Sequence, residues 1–554
     1  MIQVEKLSYG FPEKELYRNI SFSIEQGQHC ALIGSNGCGK STLVEMLTNP
    51  EKYWFDGKIT KDENVRSGYA GQFCVREKTQ DCTVFEYLGR RFTELQEEIA
   101  KVCEEMAHPE NDEEDMERLF SQYQALLDRN EAMDGDNYEN AIRRQLNAAG
   151  MGALEDTRLS DISGGEYKLL QIMKEMLLTP NFLVLDEPDV FLDFENLNGL
   201  CRLINGFKGT ILAVTHNRYL LNHCFNKILH LENGDLQEFD GTYSEYRCRL
   251  LREKIELKLQ HIEEQEEIAR TEEMVEILRK RATLMVNPTI GQAVNAKQSQ
   301  LDRLLARQIK APFIEVREPH IAFPQVEAGG EPEDGENPRP VLALTDYELN
   351  FEESLLRDVN FKVKEGEKAA LIGANGTGKS TLIREIVKNE NPAIRIADGV
   401  KYACFSQLSA EEDRLSGGER NLKHLEALEH TGAELLLLDE PSAHLDLYAQ
   451  SALEKAVKEY RGTVFMVTHD FYLAANCADY VLLIEDNTVR RIRSRNFRKM
   501  VYDKYFDSSY LEADRKCQQV EAGITEAFRR DDLAAADRLC SELEDLCKSG
   551  TVNE

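Results

Sequence analysis

The sequence predicts an α/β protein made of two P-loop units of one kind, joined by a long α-helical hairpin and followed by a helical C-terminal extension. That reading rests on three features. A set of short motifs occurs twice in the same order: GSNGCGKST (34–42) and GANGTGKST (373–381), ISGGE (162–166) and LSGGE (415–419), FLVLDEP (182–188) and LLLLDEP (435–441), and Thr215-His216 matched by Thr468-His469. Around each copy, apolar strand-like runs alternate with helical periods. Between the copies lies a charged stretch free of Gly and Pro, as a solvated helical arm requires.

In the first unit, Ser21–Glu25, Cys30–Ile33, Phe182–Leu185, Ile211–Val214 and Lys227–Leu231 read as strands, several of them continuously apolar as strands buried on both faces are. The second unit repeats the scheme with Lys368–Ile372, Leu435–Leu438, Val464–Val467 and Tyr480–Ile484. Residues 244–281 form the first helical arm, about 55 Å long if unbroken. A break at ATLMVNPTIG (282–291) precedes a second arm from Gln292 to Lys310, so the pair is a hairpin with its tip near Asn287-Pro288. EAGGEPEDGENPRP (327–340) is an acidic linker. From Leu511 to Leu546, apolar residues recur at helical spacing. The expected domains are 1–243, 244–326 (hairpin), 327–340 (linker), 341–499 and 500–554.

A chain of 554 residues has room for two to four domains with ample cores. It is 42% hydrophobic and 30% charged, as soluble globular proteins are, and no apolar run is long enough to cross a bilayer. The N-terminus leads straight into a strand-like segment, so no signal peptide is expected. The thirteen scattered cysteines include no CxxC pair, which points to reduced thiols and away from disulfides, zinc or an iron–sulfur cluster. A net charge of −32 counts against broad nucleic-acid binding unless local charge differs from the average.

A GxxxxGK[ST] loop between strand and helix cradles phosphates with backbone N–H groups and the helix N-terminus. The candidate cradles are Gly34, Ser35, Asn36, Gly37, Cys38, Gly39 and Thr42, and Gly373, Ala374, Asn375, Gly376, Thr377, Gly378 and Thr381. Lys40 and Lys379 would contact the β- and γ-phosphates, and Ser41 and Ser380 would ligate Mg²⁺. Ser163-Gly164-Gly165 and Ser416-Gly417-Gly418 open helices and offer further N–H groups to a γ-phosphate. Phe11 and Phe351 precede their loops at similar distances and either stack on adenine or pack into the core.

These motifs make the chain resemble the ATP-binding cassette (ABC) ATPases over nearly its whole length. In that family each SGGE signature completes the site of the opposite cassette. The resemblance therefore implies two composite sites, Lys40 facing Ser416–Gly418 and Lys379 facing Ser163–Gly165, with ATP and Mg²⁺ as cofactors. It implies that Asp186 and Asp439 hold Mg²⁺, that Glu187 and Glu440 are general bases for the attacking water, and that His216 and His469 sense the γ-phosphate. Gln72 and Gln407 match the Q-loop, contacting nucleotide and metal, and Asp193 and Asp446 match the D-loop. PDVFLD (188–193) departs from the expected pattern, which PSAHLD (441–446) follows more closely.

The copies are not equal. Gln72 lies 91 residues before Ser163, but Gln407 lies only 9 before Ser416. That interval holds the helical subdomain of an ABC cassette, so the second cassette is expected to be an ATP-binding core plus a signature helix. The Lys40/Ser416 site is accordingly expected to be the less well supported.

Two cassettes joined by such a hairpin resemble the ABC-F family, which binds the ribosome and inserts the hairpin toward the P-site tRNA and peptidyl-transferase centre. Residues 279–310 carry Arg279, Lys280, Arg281, Lys297, Arg303, Arg307 and Lys310 against the single acid Asp302, so basic charge is concentrated where RNA contact is implied. Leu284, Met285, Val286, Pro288 and Ile290 at the tip are either a contact surface or packed on one another. The resemblance implies a cytoplasmic monomer with paired cassettes, the ribosome as partner, no membrane, and a role in antibiotic resistance by ribosomal protection. The alternatives are a housekeeping translation factor of the same family or, in a different class, the ATPase subunit of a membrane transporter. ABC-type DNA repair would need zinc cysteines that are absent here. The extension 500–554, with 13 acids and 7 bases, is expected to pack on a cassette or another protein.

Overall fold

The computed structural model describes residues 1–12, 14–71, 82–107, 113–190, 192–284, 288–307, 319–324, 339–350, 354–406, 417–505, 508–530 and 532–550. It divides into two compact units, Met1–Thr242 with Glu318–Phe506, and Tyr243–Arg317 with Asp507–Glu554.

The first cassette runs β1 (Ile2–Phe11), β2 (Lys14–Ile24), β3 (His29–Ile33), α1 (Lys40–Thr48), β4 (Asp56–Lys61), β5 (Ser67–Ala70), α2 (Val84–Met106), α3 (Glu113–Ala132), α4 (Tyr138–Ala149), α5 (Gly164–Leu177), β6 (Phe182–Asp186), α6 (Phe194–Gly206), β7 (Thr210–Val214), α7 (Arg218–His223), β8 (Lys227–Glu232) and β9 (Asp235–Asp240). The hairpin follows as α8 (Tyr243–Leu284) and α9 (Pro288–Arg307). The second cassette runs β10 (Pro340–Asn350), β11 (Ser354–Lys364), β12 (Lys368–Ile372), α10 (Lys379–Lys388), β13 (Ile394–Ile396), β14 (Tyr402–Phe405), α11 (Gly417–Leu428), β15 (Leu435–Asp439), α12 (Leu447–Glu459), β16 (Thr463–Val467), α13 (Phe471–Cys477), β17 (Tyr480–Glu485), β18 (Thr488–Arg493) and α14 (Ser494–Tyr505). The chain ends with α15 (Ser508–Arg529) and α16 (Leu533–Gly550).

The repeat is exact in topology. The central sheets have the orders β5-β6-β7-β3-β8-β9 and β14-β15-β16-β12-β17-β18, and each cassette adds an antiparallel sheet, β2-β1-β4 or β11-β10-β13. All strands of the central sheets are parallel except the last pair in each. FLVLD and LLLLD are buried at every residue because helices cover one face of the sheet and the antiparallel sheet the other. This places the carboxyl ends of β3, β6 and β7, and of β12, β15 and β16, side by side, where ligands of open parallel sheets bind.

The cassettes differ where the spacing said they would. Between β5 and α5 the first carries α2, α3 and α4, whereas the second passes from β14 to α11 across residues 407–416, which lie outside the described residues. Thr83 starts α2 with a reciprocal capping box to Glu86, and Phe92 stacks on Tyr138 of α4 at 4.9 Å.

Two expected boundaries shift. Ile321 and Phe323, assigned by sequence to the hairpin segment, are buried in the second cassette's core, Phe323 edge-on to Tyr460. Position 500 falls inside α14, whose Phe497 and Val501 belong to the same core. In the other unit, α8 spans 42 residues, about 63 Å. Arg279 of α8 donates to Gln298 Oε1 of α9 at 2.9 Å, joining the arms. The C-terminal extension was expected on a cassette or a partner protein. Instead α15 and α16 close a core with the start of α8: Cys248 and Ile255 are buried with Val520, Ile524, Cys540 and Leu543. Arg247–Glu521 and Arg252–Glu544 ion pairs flank that core. The twelve described cysteines are free thiols.

Candidate nucleotide sites

Each P-loop turns out of a central strand into a helix. Gly34 has φ 153°, and a Cβ there would meet the Leu231 carbonyl oxygen at 2.1 Å, so only glycine fits. Lys40 Nζ donates to the carbonyls of Gly34 (3.0 Å) and Ser35 (2.9 Å), and Lys379 Nζ to those of Gly373 (2.9 Å) and Ala374 (2.6 Å). Both ammonium groups are thus held over their own loops. The Ser35 backbone and hydroxyl both donate to Glu232, and Tyr17 donates to Gly39 O at 2.6 Å, fixing the first loop from behind.

At the strand ends, Ser380 Oγ donates to Asp439 Oδ1 at 3.1 Å, and Ser41 hydrogen-bonds Asp186. Asp186 Oδ1 is buried with no hydrogen-bond partner among the described residues. Burial, above all, raises both aspartates from the usual carboxylate range. A hydroxyl beside a desolvated carboxylate suits a hard divalent cation, so Ser41 with Asp186, and Ser380 with Asp439, fit Mg²⁺.

Glu187 and Glu440 follow with φ of 47° and 50°. A non-glycine residue in the left-handed region costs on the order of 1 kcal/mol or more and persists only where surroundings impose it. Glu440 Oε2 accepts from the His469 backbone N–H at 3.1 Å, and His469 Nε2 lies 3.5 Å from Glu440 Oε1. Burial pushes the Glu440 carboxyl up to about 8, while the His469 N–H and Lys379 pull it back. Burial and Lys379 hold His469 down at about 3. His216 is lowered for the same reasons, burial and Lys40. Both histidines are therefore neutral, able to accept or donate one hydrogen bond without carrying charge.

The two cassettes form one compact unit, and their loops meet. Asn36 of the first P-loop donates its backbone N–H to Asp446 Oδ2 at 2.9 Å and its side-chain amide to His444 O at 2.9 Å. Gly418 of the second signature lies against the same residue, where a Cβ would come within 1.9 Å of Asn36 Nδ2. In the other direction, Asn375 N donates to Asp193 Oδ2 at 3.3 Å. Asp193 and Asp446 also cap α6 and α12 through their second oxygens. A cavity of about 450 Å³ opens between the cassettes, lined by Glu187, His216, Lys379, Ser380, Glu440 and His469 among others.

Asn36 of the first P-loop is thus brought together with His444, Gly418 and Asp446 of the second cassette, and Asn375 with Asp193 of the first. Ser163 caps α5 through a capping box with Glu166, and the space around Gly164 is open. Phe11 is 54% exposed and touches Tyr9 edge-on, so it is not core. Gln72, Phe351, Gln407 and Ser416 lie outside the described residues.

Three interface residues escaped the sequence reading. His444 Nδ1 lies 3.6 Å from Glu187 Oε2, across the interface. The signal was the departure between PSAHLD and PDVFLD, which puts Phe191 at the matching position. Arg218 pairs with Glu454 at 2.8 Å, with side chains only 13% and 11% exposed. No local motif marks that pair, since its members are 236 residues apart.

Paired P-loops, each beside a carboxylate pair and reached by the other half of the chain, define an ABC ATPase with two cassettes, an enzyme that hydrolyses ATP. Two family models, both described as ABC transporter, match the chain: one over residues 17–190 and 356–403, the other, for the extension, over residues 229–323. Among curated relatives, the energy-dependent translational throttle protein EttA of Escherichia coli (strain K12) is 26% identical, covering 89% of this chain and 93% of its own. An uncharacterized ABC transporter ATP-binding protein, YfmM of Bacillus subtilis, is 27% identical over 85% of this chain and 96% of its own. The ABC transporter F family member 5 of Arabidopsis thaliana is 26% identical over 88% and 75%. Among solved structures, the archaeal ribosome recycling factor aABCE1, in complex with the stalk protein aP1, shares the fold with a TM-score of 0.51 at 16% identity, covering 90% of this chain and 92% of that one. No helix among the described residues is long and apolar enough to cross a membrane.

Proposed function

We propose that the chain is an ABC-F ATPase that acts on the ribosome, closing its cassettes with ATP and releasing after hydrolysis. The observation that carries this reading is the hairpin. It lies between the two repeated cassettes, and in a chain of net charge −32 its distal part presents exposed Arg279, Lys280, Arg281 and Arg303. Basic side chains on a long helix pair suit RNA phosphates. Relatives named for a translational throttle and for the F family, matched over most of their length, support the same reading.

In each site the P-loop N–H groups and Lys40 or Lys379 would hold the β- and γ-phosphates, and the opposite signature would close over the γ-phosphate. Mg²⁺, held by Ser41 with Asp186 and by Ser380 with Asp439, would supply charge neutralisation on the phosphate oxygens. Glu187 and Glu440 would take the proton of the attacking water, with neutral His216 and His469 lining the same cavity and His469 held to Glu440 by its backbone N–H. Lys297, half-buried, and the tip residues Leu284, Met285, Val286 and Pro288 would face the P-site tRNA and the peptidyl-transferase centre. Leu284 ends α8 and Pro288 starts α9, while Met285 and Val286 lie outside the described residues. From that position the tip would displace a bound drug, giving resistance by ribosomal protection in a cytoplasmic monomer. The acidic linker 327–340 would serve as the tether into the second cassette.

A Glu187→Gln/Glu440→Gln chain, locked in the ATP state, should co-sediment with ribosomes in ATP. Recovery with membranes instead would favour a transporter subunit. Expression of the intact chain, but not of one lacking Leu284–Val286, should raise resistance to a drug of the peptidyl-transferase centre. Ribosome binding without any such rescue would leave a translation factor of the same family.

A further inference from the structure

The end of the second cassette carries charge that the first does not. From Thr488 to Met500, TVRRIRSRNFRKM holds six basic side chains and no acid. The matching strand of the first cassette, β9, is DLQEFD, with three acids and no base. β9 and β18 occupy the same place, each the edge of its six-stranded sheet and each antiparallel to its neighbour through six residue pairs. That register equates Glu238 with Arg491 and Asp240 with Arg493. The fold accepts either sign at these positions, so the arginines are not there for the strand's sake.

Internal partners account for part of the charge only. In the first cassette both acids lie near the Lys227 ammonium, Glu238 at 2.6 Å and the exposed Asp240 at 3.9 Å. In the second, Tyr480 stands where Lys227 does, and Arg491 lies over its ring at 3.5 Å while reaching Glu367 at 3.3 Å. Arg490 approaches Glu485 at 3.6 Å, and Arg498 donates to Asn476. Arg493, Arg495 and Lys499 are exposed and have no acidic partner among the described residues. Arg495 and Lys499 share one face of α14, and Arg493 leads into it. Arg357 and Lys362 of β11, beside β18, are exposed as well, against Asp358. Gathering like charges in this way weakens a fold slightly and favours an anionic partner.

We infer that the β18–α14 surface is a second RNA-phosphate contact, separate from the hairpin; this rests on the ribosome reading above. Five of the six bases are arginines, whose planar forks match phosphate oxygens. The segment's apolar residues Ile492 and Phe497 are buried, so neither offers an anchor for a bilayer.

The test uses the full chain with Glu187→Gln/Glu440→Gln, with and without Arg493→Ala/Arg495→Ala/Lys499→Ala. Sedimentation with purified ribosomes in ATP is measured over a salt series, alongside binding to protein-free ribosomal RNA and to phosphatidylglycerol vesicles. The triple change should leave the melting temperature unaltered, weaken ribosome and RNA binding about tenfold or more, and lower the log–log salt slope by about 2 to 3. Equal binding and equal slope in both chains overturn the inference while leaving the ribosome reading intact. If neither chain sediments, the ribosome reading fails, and the free-RNA comparison still decides whether the surface binds RNA. Vesicle binding that the triple change removes, without RNA binding, assigns the surface to lipid headgroups and overturns it too.

Discussion

The two cassettes share a sheet order, a pair of P-loops, two carboxylate pairs and two histidines in register, His216 and His469, yet they are scaffolded differently. The first carries α2, α3 and α4 ahead of its signature, whereas the second presents α11 with only residues 406–416 between it and β14. The short cassette nevertheless places Gly418, His444 and Asp446 against Asn36 of its partner loop. A signature helix therefore does not need its helical subdomain to reach the opposite P-loop. What it needs is a glycine where backbone and amide approach, and a D-loop carboxylate that spans the interface. The expectation that the Lys40 site would be the weaker one finds no support in these contacts.

Replacing Glu187 and Glu440 together tests the shared chemistry and should have the largest effect. Glu187→Gln/Glu440→Gln is expected to lower ATP turnover by roughly 10² to 10⁴ while leaving ATP binding intact. A phosphate-release assay beside nucleotide binding checks it. Turnover within tenfold of wild type would show that other groups take the proton.

The interface pairs test what joins the cassettes. Arg218→Ala leaves Glu454 nearly buried without its guanidinium and should cost about 3 kcal/mol in denaturant unfolding. Glu454→Gln added to it should recover part of that loss. Single changes without effect would mean that the aromatic contacts of Phe194 with Phe471 and Phe497 suffice to hold the interface.

A smaller and more local contrast separates the signatures. Gly418→Ala puts a methyl within 1.9 Å of Asn36 Nδ2 and should slow turnover about tenfold, whereas Gly164→Ala enters open space and should change it less than about twofold. Equal effects would show that both signatures close equally tightly during turnover.

Much of this was legible in the chain. The parallel strands announced themselves as continuous apolar runs, and the P-loops, carboxylates and histidines as motifs repeated in register. The 82-residue loss could be placed because the offset changed between Gln72/Gln407 and Ser163/Ser416. The contacts between cassettes were not legible. Arg218 with Glu454, and His444 with Glu187, are joined only by the packing of two folded units, and nothing in local spacing encodes that. The C-terminal helices were legible as helices but not in their destination. Their apolar stripe says that something covers it, and only the fold shows that Cys248 and Ile255 of α8 do.

The claim that each site is completed by the other cassette is tested most directly at Asp446. Asp446→Asn keeps an oxygen for the N-terminus of α12 but turns an amide toward Asn36 N–H. ATP turnover is measured for this change in two backgrounds: Glu440→Gln, where only the Lys40 site is active, and Glu187→Gln, where only the Lys379 site is active. The account predicts a fall of about tenfold or more in the first and less than about twofold in the second. Equal falls, or the larger fall in the Glu187→Gln background, would contradict it.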